Sequence, residues 1–199
     1  IGEPDELIVS EPYAAGAFNV IELANQTGDA LEGLVGDAPA PEVRVIWNDS
    51  AFPACGSCFY FSAFRLELTG APGDIDAHDD DVVLHELAHY VEAAYGDYGN
   101  PGGYHEVAQQ VVPELAWSEG FATWFSSWIR QSPQYIDIQP GGYVYELNLE
   151  TLQGVTLGVS EPGNPSSNHS EGIVFGLKAR LAQTLLQLRD CIFSEESLS

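Results

Sequence analysis

The five residues His85-Glu86-Leu87-Ala88-His89 restrict this chain more than any other stretch. Around them Val82, Val83, Leu84, Leu87, Ala88, Val91, Ala94 and Tyr95 recur at helical spacing, and Gly96 follows as a stop signal. Residues four apart on a helix lie one turn above each other on the same face. His85 and His89 can therefore aim two imidazoles at one metal ion. Glu86, one step round from His85, reaches a water held at that ion. The pattern places a helix near the middle of the chain and says which of its faces carries the chemistry.

Two histidines need a third ligand, with a fourth position left for water. The strongest candidate lies in Pro113-Glu114-Leu115-Ala116-Trp117-Ser118-Glu119-Gly120-Phe121-Ala122-Thr123-Trp124-Phe125. Pro113 suits a first helical turn, and Glu114 suits its positive end. The segment is apolar nearly all round, which marks a buried helix. Glu119 shares a face with Leu115 and Ala122, and a carboxylate there is costly unless it is paired or binds a metal. Thr123, one turn on, is placed to hydrogen-bond a ligand from behind.

HELAH followed by a helix reading WSEGFATWF resembles the gluzincin clan of zinc peptidases, and most closely its aminopeptidase N type. That type carries a W-x-x-E-G-F-A string; here Trp117-Ser118-Glu119-Gly120-Phe121-Ala122 is one residue shorter between tryptophan and glutamate. The resemblance covers roughly residues 79–130. After His89 the chain reads Tyr90-Val91-Glu92-Ala93-Ala94-Tyr95-Gly96, without the third histidine of the metzincins. A G-x-M-E-N type string for gripping a free amino terminus is absent, and the chain has no methionine, so aminopeptidase activity is not carried over.

The resemblance implies zinc bound by His85, His89 and Glu119, with Glu86 as general base for peptide-bond hydrolysis, as an endopeptidase on extended peptides. It also implies an oxyanion donor C-terminal to the third ligand. His169 leads by position, in a polar loop; Tyr143 and Tyr145 are alternatives, and His105 is a rival at the rim of the cleft. His78 reads as a solvated neighbour of Asp79 and Asp80. A second class of function stays open, a non-catalytic zinc-bearing binding or structural domain. A third option is a calcium-dependent module, or calcium as an accessory, because Asp74, Asp76, Asp79, Asp80 and Asp81 offer the oxygens it prefers, although without EF-hand spacing.

Thirty acidic residues against six basic ones give a net charge of −24. Such a field repels nucleic acid and anionic membranes, and it favours cationic partners or metal ions. No apolar run approaches the roughly 18 residues that span a bilayer. The expected partner is a peptide or protein substrate, with neither nucleic acid nor membrane. The start at Ile1 and the Cys55-Gly56-Ser57-Cys58 string both suit a secreted or extracytoplasmic product. The C-x-x-C reads as a small-loop disulfide, since no second pair completes a zinc knuckle. Cys191 is then the odd thiol.

The expected organisation is a single α+β domain over residues 1–199, a compact gluzincin-like core. A helix over 13–34 and strands over 42–47 and 59–68 form its first part, about 13–70. The metal helix, the glutamate helix and a final helix over 171–191 form its second, about 80–191. Asp74 to Asp81 reads as an acidic loop that caps the HELAH helix. A short strand is expected over 142–149, and the strand over 59–68 is the candidate edge for a bound peptide.

Overall fold

The computed structural model describes residues 12–35, 41–47, 53–96, 101–102, 105, 112–139, 143–150 and 153–154. Helix α1 (Pro12–Val35) buries Val20, Leu23 and Leu31 on one face. Gly16 lets it approach closely, because a Cβ there would stand 3.0 Å from that of Ala77. Asn19 locks the contact by donating to the Ala77 carbonyl at 3.1 Å and to Asp80 at 3.0 Å.

A three-stranded sheet follows, with spatial order β1 (Arg44–Trp47), β3 (Arg65–Leu68), β2 (Cys58–Tyr60). β1 runs parallel to β3, and β2 runs antiparallel to it with Phe59 opposite Leu66. The expected strand over 59–68 is thus two strands. A 3-10 turn at Phe61–Ala63 and a left-handed Phe64 (φ 43°) reverse the chain between them. The three-residue gap from Phe61 to Phe64 in the apolar alternation falls at this reversal. As a further correction, β3 lies inside the sheet, so β2 forms the edge.

The 74–81 segment is also more ordered than a loop. β4 (Gly70–Ala71) and β5 (Asp74–Ile75) make a two-stranded ribbon turned at Gly73 (φ 83°), and a 3-10 turn spans Asp76–His78. His78 is exposed, as expected. α2 (Asp80–Tyr95) then starts after Asp79, whose side chain makes no capping hydrogen bond. The carboxylate expected to cap the helix is engaged elsewhere, with the strand after α3. Gly96 ends α2 in extended backbone, and its N–H bonds the Glu92 carbonyl. A Cβ at Gly96 would meet that carbonyl oxygen at 2.5 Å, so close approach requires glycine here.

α3 (Pro113–Arg130) packs along α2, and β6 (Gln134–Gln139), β7 (Tyr143–Asn148) and β8 (Gln153–Gly154) form an antiparallel sheet beyond it. β6 is an element without a clear sequence signal. Leu66, Leu68, Leu84, Leu87, Ala122 and Phe125 fill the centre where α2, α3 and β3 meet. Truncating Leu84 or Leu87 to alanine there costs about 2–5 kcal/mol. The described residues combine helices with small sheets, in line with the α+β expectation. The final helix expected over 171–191 lies outside them.

Candidate metal centre

α2 is buried nearly all round, with His89 buried and His85 half-buried. α3 brings Glu119, itself 3% exposed, against them. Glu119 Oε2 lies 3.3 Å from His85 Nε2, and Oε1 lies 3.4 Å from His89 Nε2. One donor atom from each of the three residues lies within 4.8 Å of the others, a group able to hold a metal ion. The buried glutamate expected from the apolar WSEGFATWF helix is where that reading put it.

The other ring nitrogens are held by hydroxyls on either side of Glu119 in α3. Ser118 donates to Glu92 Oε2, so its oxygen accepts the His89 Nδ1 hydrogen at 3.1 Å. Thr123 donates to the Glu119 carbonyl at 2.9 Å, so its oxygen accepts from His85 Nδ1 at 3.4 Å. With the proton kept on Nδ1, each Nε2 could give up its own hydrogen and offer a lone pair once a metal ion takes the place between the rings and Glu119, the tautomer a metal ligand needs. Thr123 was foreseeable from its spacing to Glu119. Ser118 and Glu92 were not singled out, although Glu92 stands three residues after His89 and shares its face.

Burial disfavours an imidazolium at His89, yet the Glu119 and Glu92 carboxylates outweigh it and raise its pKa to about 10. The centre attracts positive charge. Glu86 is 7% exposed, and its Oε2 has no hydrogen-bond partner among the described residues. Burial pushes its carboxyl up to about 7; Glu119 adds to the rise, while His89, His105 and the Phe59 N–H oppose it.

His85, Glu86, His89 and Glu119 line a cleft of about 600 Å³ together with Phe59, Tyr60, Phe61 and His105. His105 Nε2 lies 3.1 Å from Glu119 Oε1, which brings it to the centre and not merely to the rim. Cys55 and Cys58 form the expected disulfide and stand in the cleft wall. His169 and the Tyr143 side chain lie outside the described residues. Tyr145 is buried behind Tyr135, with ring centroids 6.2 Å apart. It is Tyr135, unmarked in the sequence reading, that stands edge-on to His85 at 6.0 Å. Burial raises its phenol well above the usual range.

The five acids expected to serve calcium do not form one set. Asp79 accepts the Ile138 N–H at 2.9 Å, and Asp81 accepts the Ile136 N–H at 2.9 Å, which ties α2 to β6. Asp81 also pairs with Arg130 and accepts from Ser126 at 3.1 Å. Asp80 holds Asn19. Only Asp74 and Asp76 remain together, joined by Asp137 from β6. Burial pushes Asp76 up to about 8; Asp74, Asp137 and Asp79 add to the rise, and the hydrogen bond from Ser57 opposes it.

Compared with protein-family models and with curated proteins, the chain matches none. Among the described residues, no helix is long and apolar enough to cross a membrane.

Proposed function

We propose that this chain is a zinc-dependent peptidase with a compact gluzincin-like core. One observation carries the reading. Glu86 is buried with a carboxylate oxygen that lacks a hydrogen-bond partner among the described residues, beside a two-histidine, one-glutamate group in an open cleft. The donor set fits the metal, since two imidazoles and a carboxylate leave a zinc ion one position for water. His85, His89 and Glu119 would hold the ion. When bound, zinc lowers the pKa of water toward neutrality and polarises a carbonyl.

The protein's own groups supply the rest. Glu86 takes the proton from the attacking water and delivers it to the leaving amine. His105, at the cleft and within reach of Glu119, donates a hydrogen bond to the carbonyl oxygen as it gains charge. β2 edges its sheet, and Cys58, Phe59 and Tyr60 line the cleft, so an extended peptide can add to it as a further strand. The acidic surface and the disulfide suit work outside the cytoplasm.

The test is elemental analysis of purified protein followed by a peptide-library digest. About one zinc per chain, with cleavage by wild type that Glu86→Gln largely removes while zinc is retained, is the expected result. No zinc after reconstitution, or equal cleavage by both proteins, overturns it. Zinc without any cleavage favours a non-catalytic binding domain.

A further inference from the structure

Three carboxylates from the segment ahead of α2 and from β6 meet in a second group. Asp74 opens β5 of the β4–β5 ribbon, Asp76 opens the 3-10 turn, and Asp137 comes from the middle of β6. One oxygen from each lies within 4.8 Å of the others. Asp74 is 8% exposed and Asp76 is 5% exposed, so water screens little of their repulsion. Neither makes an ion pair with a described basic residue.

A cluster of acids alone proves little, but Asp76 adds a separate observation. Ser57 donates to its Oδ2, and the Ser57 oxygen is itself fixed by the Thr69 N–H at 3.0 Å. The other oxygen, Oδ1, is buried with no hydrogen-bond partner among the described residues. A buried carboxylate oxygen without a donor is expensive, and so is a charge without a counter-charge.

We infer that Asp74, Asp76 and Asp137 form a second metal site, separate from the histidine group, that takes a calcium-type divalent cation. The donors are all oxygen, which excludes the soft-metal preferences of the histidine centre. Oxygens sharing a calcium at about 2.3–2.6 Å can stand up to about 5 Å apart, whereas magnesium at about 2.0–2.1 Å requires a tighter set. The bound ion joins the ribbon before α2 to β6, the strand that carries Tyr135 against His85. It therefore braces the segment that leads into the metal helix.

Calcium titration of the full chain by isothermal calorimetry, with zinc already loaded, tests this. The expected result is one calcium per chain, bound more tightly than magnesium, with a rise in melting temperature. Asp137→Asn should weaken binding at least roughly tenfold, since it removes one of three charges. In chelator it should melt no lower than wild type, because it also relieves repulsion; a merely structural aspartate would instead lose stability under both conditions. Asp76→Asn serves as the second variant. His85→Ala should leave calcium binding intact, which separates this site from the fate of the zinc reading. Absence of calcium binding at millimolar concentration, equal affinity for magnesium, or unchanged affinity in Asp137→Asn overturns the inference.

Discussion

Replacing Ser118 by alanine should loosen metal binding by an amount the structure lets one bound. Ser118 is fully buried, and its oxygen is the acceptor for the His89 Nδ1 hydrogen at 3.1 Å. Outer hydrogen bonds to ligating histidines are typically worth about 10–100-fold in metal affinity, which is about 1.4–2.8 kcal/mol. The low end applies here, because a substitute stands nearby. Glu92 Oε2 is 3.5 Å from the same nitrogen, and a shift of about 0.6 Å brings it into hydrogen-bond range. Ser118→Ala should therefore cost about tenfold in zinc affinity, and Glu92→Ala a similar amount. The double variant leaves a buried N–H with no acceptor and should cost about a hundredfold or more. Thr123→Val should cost less than Ser118→Ala, since its contact with His85 is longer, at 3.4 Å. Competition against a chromophoric chelator measures all four. A double variant that binds zinc as tightly as wild type would refute the relay through Ser118, and so would Ser118→Ala weakening binding more than the double does.

Other consequences can be checked separately. Asp81→Ala strips the acceptor from Arg130, Ser126 and the Ile136 N–H and should destabilise by about 3–5 kcal/mol in urea unfolding; a loss under about 1 kcal/mol would show that water replaces it. His105→Gln should lower kcat on any cleaved peptide with little change in KM, whereas a change confined to KM would mean that it only binds substrate. Thiol counting under denaturing, non-reducing conditions should give one free thiol per chain from the three cysteines, and a count of three would contradict the disulfide. Matched peptides carrying lysine should be cleaved faster than glutamate ones, with the advantage shrinking as salt screens the −24 field; a salt-independent preference for glutamate would point to a local basic pocket.

The sequence disclosed most where one helix held both the pattern and its purpose. α2 and its glycine stop follow from apolar spacing alone, and Glu119 betrayed itself as a charge among Leu115, Ala122 and Phe125. What stayed hidden depends on contacts between segments far apart in the chain. β6 has exposed Gln134 and Ile138 with part-buried residues between them, so no clean alternation announces it. Its hydrogen bonds to Asp79 and Asp81 cross 59 and 55 residues. The acids of 74–81 look alike in sequence, yet the structure sorts them into a charge cluster, a helix-to-strand tie and an ion pair. Ser118 is similar: a serine beside a glutamate has many uses, and only the position of Glu92 across the helix pair selects one.

The tie between Asp79, Asp81 and β6 reaches beyond the geometry of one helix start. Ile136 and Ile138 donate outward from the side of β6 that faces away from β7, where in a wider sheet another strand's carbonyls would stand. Two carboxylates spaced two residues apart imitate that missing strand. An open strand edge is a template for joining chains into aggregates, and here the template is plugged from within by side chains. The plug sits at the N-terminal end of the same helix that carries His85 and His89. Peeling it away to uncover the edge also scatters the ligands, so loss of metal and self-association should arrive together on heating, as one event seen by two probes.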